Sequence, residues 1–466
     1  LIGTTFAWFT DTASTGVNKI VSGNLKVDII GADSDSHIEK LNFTKAATTD
    51  AEAGAEILWE PGCRYLTEGF RIANKGNLAL KWKAQVNTGT TAANEGNFDL
   101  LDVIDFYLVT KAADGTETET ALDEFTGNLK KTETSDVYYI KGVMQTTAGN
   151  DYQGLTLDGI SITVVATQDT VESDSFDNQY DKDAEYPILV TTGDELQAIV
   201  SNATAPVNIV LTNSITTNNF VIPADKDVTL DLNGCTVTNA ESHTILNKGH
   251  LTLTDSSADK SGQIISLKGN TAALRNGDNA VCVVKGGTIS RDGANGNTWH
   301  VVENFGKMTF NGGKVVLKNG NGFAITNGWN YFDPGASTTH AVMEINALEL
   351  DTDSSGIKNC RYGDLTVNDV TVTSTGYWAL SNDYLGTAVI NGGTLTSNSF
   401  KAVSNGAAMT VNGGTFDGTE GFFVQSYATS TVLNGGTFAN MNVDALASYV
   451  GTGHTAQQSG TSVIIK

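Results

Sequence analysis

The chain has 466 residues, with 52 acidic against 28 basic side chains and a formal net charge of −24. So acidic a surface disfavours nucleic acid and anionic membranes, whose recognition needs clustered cations. No run of 18 apolar residues suits a membrane-spanning helix, and Cys63, Cys235, Cys282 and Cys360 form neither a CxxC pair nor a disulfide framework. Abundant Gly, Thr, Asn and Val with little helical periodicity read as an all-β chain.

Residues 1–12, Leu-Ile-Gly-Thr-Thr-Phe-Ala-Trp-Phe-Thr-Asp-Thr, are apolar, aromatic and uncharged before Asp11. They alternate as a strand, with Ile2, Thr4, Phe6 and Trp8 on one side and Leu1, Gly3, Thr5 and Phe9 on the other. A terminus normally frays in water, so this segment needs a partner. That partner is its own domain or a neighbouring molecule; β-strand addition gives affinity through main-chain hydrogen bonds. A head-to-tail contact of that kind does not close and propagates as a filament.

Further on, strands are expected at 25–30, 55–60, 69–73, 78–87, 103–111, 137–145 and 155–167, linked by turn-rich segments. Their irregular spacing suggests an antiparallel sandwich. Leu78, Leu80 and Trp82 share one face of a clearly alternating stretch. Residues 168–187 hold seven acids and one lysine, which reads as a solvated linker. Its carboxylates suit weak Ca²⁺ binding, although the spacing fits no EF-hand loop.

After Pro187 the texture changes. Residues 193–200 read as a short helix with an acidic first turn. A repeat follows, of the form apolar-x-apolar-Asn-Gly-Gly-Thr-apolar, as in Met409-Thr-Val-Asn-Gly-Gly-Thr-Phe416 and Val432-Leu-Asn-Gly-Gly-Thr-Phe438. A second line interleaves with it and places Asn247, Asn276, Asn304, Asn327, Asn359, Asn382 and Asn405 at equivalent positions. Two recurring turn positions per period of about 22 residues indicate a solenoid with two or three strands per coil. Stacked asparagines can hydrogen-bond coil to coil as a ladder. Nine coils would stack to roughly 43 Å. The expected architecture is a parallel β-helix, right-handed, with insertions at 255–276 and 328–340.

Chemical motifs are sparse. There is no HExxH, GxSxG or P-loop, and the six histidines are isolated in sequence. No metal site and no cofactor are assigned. Asp351, Asp353 and Asp369, with Arg275, Arg291 and Arg361, are the solenoid's candidates for lyase or hydrolase chemistry. They form no recurring acid pair with a basic partner, so no catalytic residue is assigned. Aromatic residues near corners and insertions, Trp329, Tyr331, Phe332, Trp378 and Tyr384, are the candidate glycan contacts, because ring faces stack on sugars.

Three segments carry a resemblance. Gly3-Thr-Thr-Phe-Ala-Trp-Phe-Thr-Asp-Thr-Ala-Ser14, Phe70-Arg-Ile-Ala-Asn-Lys-Gly-Asn-Leu-Ala-Leu80 and Tyr152-Gln-Gly-Leu-Thr-Leu-Asp-Gly-Ile-Ser-Ile-Thr-Val-Val-Ala-Thr-Gln168 occur in the order seen in TasA/camelysin-type secreted proteins. The resemblance covers residues 1 to about 187. It implies a signal-peptide-exported jelly-roll subunit of an extracellular fibre built by donor-strand exchange. Leu1, Ile2, Gly3, Thr4, Phe6, Trp8 and Phe9 would then enter the next subunit. Residues 188–466 are similar instead to a pectate-lyase-like β-helix.

The combined expectation has four parts: a donor strand at 1–12, a jelly-roll domain at 13–167, an acidic linker at 168–187 and a β-helix at 188–466. The chain would be a self-assembling bacterial surface filament that displays the β-helix for adhesion, biofilm or host-glycan contact. Two alternatives stay open: a monomeric carbohydrate-binding adhesin and a polysaccharide lyase.

Overall fold

A computed structural model describes residues 25–38, 41–44, 57, 59–87, 90–91, 98–122, 125–155, 157–158, 161–169, 185–329 and 339–466. The donor-strand positions Leu1, Ile2, Gly3, Thr4, Phe6, Trp8 and Phe9 lie outside the described residues. So do most of the acidic linker and two candidate glycan contacts, Tyr331 and Phe332. The chain divides into two compact units, Leu1–Tyr186 and Pro187–Lys466.

In the first unit, seven strands form an antiparallel sheet. Val27–Gly31 pairs with Phe70–Asn74, and Tyr138–Met144 pairs with both Arg64–Thr67 and Ile104–Lys111. Ser161–Gln168, Leu80–Asn87 and Phe125–Leu129 form a second sheet. The alternation near residue 80 explains how the sheets meet. Leu80, Trp82 and Ala84 point inward and are buried, and they share a core with Phe70, Ile72, Leu108 and Ile140 of the first sheet. The unit is therefore a two-sheet antiparallel sandwich. Gly127 lies beneath the Trp82 indole, where a Cβ would come within 2.6 Å of the ring.

Six of the seven expected strand regions contain strands; among the described residues of 55–60 none is a strand. Glu117–Ala121 has no apolar alternation to announce it, because all five residues are exposed at a sheet edge.

The second unit opens with Ile188–Val190 and an α-helix, Gly193–Asn202. Thr192 caps the helix by accepting from the Glu195 amide at 3.2 Å, and Glu195 accepts in return from the Thr191 amide at 2.9 Å. This reciprocal bonding satisfies donors that a helix start leaves free. About ten coils follow, built from three lines of parallel strands; in two coils one continuous strand, Lys307–Lys318 or Ala341–Thr352, serves the first two lines, and the third line has nine strands. The first line of strands runs from Val207–Leu211 through Asp227–Asp231 and His250–Thr254 to Ser430–Leu433. The second runs from Ile215–Thr216 through Thr236–Asn239 to Gly436–Phe438. A third line forms its own nine-stranded sheet from Val221–Ile222 to Phe422–Val424. Alternate residues point inward, so Leu251, Leu253, Ile264 and Leu274, each at most 2% exposed, fill one coil's interior and continue a single core. Burying each such side chain contributes about 1.5–3 kcal/mol.

The third line turns towards the next coil at the seven asparagines. All are at most 1% exposed. Each Nδ2 from Asn247 to Asn382 donates to the Oδ1 of the next asparagine at 2.7–2.9 Å. The amides also donate to backbone carbonyls, as Asn359 does to Thr387 O at 2.9 Å. The ladder starts where Ile222 pairs with Asn247 and stops where Asn405 pairs with Val424. There the last donor goes to Thr431 Oγ1 at 2.8 Å. A second ladder, half-buried to exposed, runs along the corner between the first and second lines, through Asn311, Asn346, Asn368, Asn391, Asn412 and Asn434. Its amides donate in the opposite sense, each to the preceding coil.

Both ends of the solenoid are covered. The N-terminal helix buries Leu196 and Val200 on the first coils. At the far end Ser462–Ile465 pairs antiparallel with Gly436–Phe438 and with Ala456–Ser459. The four cysteines are unpaired. Burial raises the Cys282 and Cys360 thiols to about 12, so they are inert packing groups.

Candidate functional site

The outward positions differ sharply between the three faces. On the first and second lines they are mostly Thr, Ser, Asn, Asp, Glu, Lys and Val. The described aromatic residues of the second unit fall into three groups. Phe220, Phe310, Phe416, Phe422 and Phe438 are in the core, and Tyr449 belongs to the C-terminal cap. The others lie on or beside the third line.

They occupy six consecutive coils, from Val302–Asn304 to Phe422–Val424. Trp299, Tyr377, Trp378 and Phe400 stand where the chain enters a third-line strand. Phe305, Trp329, Tyr362, Tyr384 and Tyr427 stand at the corner where it leaves. Phe323 and Phe423 lie within strands. Between the two aromatic rows runs a polar file of residues paired in register: Arg275, Glu303, Thr326, Lys358, Ser381 and Ser404.

At the early end Glu303 is 4% exposed. It accepts from Arg275 Nη1 at 2.7 Å and from Trp299 Nε1 at 2.9 Å. The Arg275 guanidinium lies 4.4 Å from the centre of the Phe305 ring, which packs on Trp329 at 4.5 Å. Buried Arg291 donates to the carbonyls of Lys268, Asn297 and His300 and to Ser266 Oγ. It thereby ties down the loop that carries Trp299. Burial lowers its pKa to about 10, and Glu303 opposes the shift.

At the late end Trp378 meets Phe400 edge-on at 4.6 Å and stacks on Phe423 at 6.1 Å. Lys401 Nζ sits 3.4 Å above the Phe423 ring and pairs with Glu420 at 3.0 Å. Lys358 pairs with Asp383 at 3.2 Å. The Tyr427 ring lies over Gly406, where a Cβ would approach within 2.6 Å. Tyr377, Tyr384 and Tyr427 are 57%, 46% and 54% exposed. The face thus joins open ring faces to paired charges and hydroxyls.

Among the sequence candidates, Trp329, Trp378 and Tyr384 all fall on this face. Trp329 and Arg361 are joined by a backbone bridge, with the Trp329 amide donating to Arg361 O at 2.9 Å. Both also hold a buried side-chain donor, Trp329 Nε1 and Arg361 Nε, with no acceptor among the described residues. Phe323, Phe400, Phe423, Lys358 and Asp383 were not singled out from sequence. Lys358, Asp383 and Phe423 stand next to a ladder asparagine or its equivalent Val424, and Phe323 and Phe400 stand four and five residues before one.

The three aspartates weighed for lyase chemistry lie elsewhere, apart from Arg275, Arg291 and Arg361, which are on or beside this face. Asp351 pairs with Lys318 at 2.8 Å on the second line, and Asp353 accepts from the Asn319 and Gly320 amides. Asp369 lies in the corner after the first line, its amide bonded to Ile345 O. Among the described residues, no group of three or more His, Cys, Asp or Glu could hold a metal ion, and no helix is long and apolar enough to cross a membrane.

No family model matches the chain, and no curated protein matches it. Among solved structures, the catalytic domain of a GH87 α-1,3-glucanase in complex with tetrasaccharides is similar at 10% identity. The match covers 88% of this chain and 96% of that one, with a TM-score of 0.16. A likeness that slight does not bear on function.

Proposed function

We propose that the second unit is an extracellular carbohydrate-binding β-helix and that its third face is the binding surface. The observation that carries this reading is the segregation of every described non-core aromatic outside the cap to one of three faces. Exposed rings offer flat apolar surface for the C–H faces of sugars, and covering it contributes about 25 cal/mol per Å² of apolar surface removed from water. The Lys358–Asp383 pair, Ser381 and Gln425, whose Nε2 donates to Ser404 Oγ at 3.1 Å, supply donors and acceptors for hydroxyls beside them. Binding rather than turnover fits Glu303, the buried carboxylate of this face, which is already engaged by Arg275 and Trp299.

The test is gel retardation of the full chain by soluble polysaccharides. Retardation by at least one is expected, and the Trp378→Ala/Tyr427→Ala double variant should weaken it about tenfold or more. Thr373→Ala on the second line should leave it unchanged. Absence of retardation by every polysaccharide would end this reading.

A second reading concerns the first unit. The alternation in Leu1–Thr12 supports donor-strand assembly into a fibre, with the β-helix displayed outward. Among the described residues, Ser161–Gln168 and Phe125–Leu129 each pair on one side only within their sheet, which leaves edges able to accept a strand. Deleting residues 1–12 should convert fibres seen by negative-stain microscopy to monomers. Fibres that persist after the deletion would rule the mechanism out.

A further inference from the structure

Building on the carbohydrate reading, we infer that the ligand is an extended linear polysaccharide lying parallel to the solenoid axis, with one sugar unit matched to each coil. The argument rests on register. Third-line strands pair in parallel without a slip, so equivalent residues stack one above another from Arg275 to Phe423. Neighbouring parallel strands are about 4.8 Å apart, a distance close to the length of one pyranose ring. A chain advancing one sugar per coil therefore meets at least one ring of the stripe at every step.

The aromatic stripe has a definite extent. It begins with Trp299 and ends with Tyr427, over six coils and roughly 24 Å. The three earlier third-line coils carry one aromatic, Phe220, which is 1% exposed. A glycan lying across the solenoid would touch one coil's rings and then the Thr- and Asn-rich faces, which offer no stacking surface. Charge is balanced along the stripe by Arg275–Glu303, Lys358–Asp383 and Lys401–Glu420. This spares a chain the repulsion expected elsewhere on so acidic a protein.

Calorimetry of the full chain with cello-, laminari-, xylo- and galacturono-oligosaccharides, graded from dimers to octamers, tests this. For the series that binds, Kd should fall with each added sugar, about tenfold between trimer and hexamer, and level off beyond six. Trp329→Ala and Tyr427→Ala, at separate coils, should each weaken the hexamer, while at most one weakens the dimer. If Trp329→Ala lowers the unfolding temperature, Tyr362→Ala replaces it. Affinity already saturated at the disaccharide would overturn the axial chain and leave the carbohydrate reading standing. No binding by any oligosaccharide or polysaccharide would remove both.

Discussion

Asn327 is held from both sides. Its Oδ1 accepts from Asn304 at 2.7 Å, and its Nδ2 donates to Asn359 at 2.8 Å and to Asp364 O at 3.1 Å. Asn327→Ala leaves buried groups on two neighbours unpaired and opens a small cavity. The expected loss is ~2–4 kcal/mol, read from the denaturant midpoint of the solenoid transition. Asn434→Ala, at the end of the outer ladder, should cost about 1 kcal/mol or less because its partner Asn412 is exposed and regains water.

Two histidines make stability pH-dependent. His243 and His300 are held below the ordinary imidazole pKa chiefly by burial; Glu303 opposes the shift, while Arg275 and Arg291 near His243, and Lys358 and Arg291 near His300, reinforce it. The Ala272 amide donates to His243 Nδ1 at 2.8 Å, a bond that needs that nitrogen unprotonated. The unfolded chain takes up protons that the folded chain refuses. Stability is therefore full above pH ~6.5 and falls as pH drops below it. The urea midpoint should decline between neutral pH and pH 5, and His243→Asn/His300→Asn should flatten that slope.

At the scale of elements, the end caps decide what the solenoid can do. An uncovered coil presents a row of free backbone groups and invites edge pairing. Here Ser462–Ile465 covers the last coil with Val463 and Ile465 buried. Deleting residues 452–466 should produce self-association in light scattering; a deletion variant that stays monomeric would show that the hairpin is dispensable as a cap. Coil structure was legible in the sequence because each corner repeats a residue type for a stated reason. Asparagine satisfies its own neighbours, and a glycine such as Gly306, where a Cβ would lie 2.3 Å from Ala280 O, permits close backbone passage. The edge strand Glu117–Ala121 was not legible, since a fully exposed strand needs no apolar alternation. The site was half legible. Trp329, Trp378 and Tyr384 could be picked as aromatics near corners, but membership of one face required the register that only pairing reveals.

At the scale of the whole molecule, the chain joins an antiparallel sandwich to a capped β-helix with its own continuous core. The central claim is that the third face of that helix receives a glycan. Hydrogen–deuterium exchange of the full chain, with and without a polysaccharide that retards it, reads the face directly. Added protection is expected in 299–305, 323–329, 359–362, 377–384, 400–406 and 421–427. Protection along the outer asparagine corner or confined to the sandwich strands, with the third face unchanged, would contradict it.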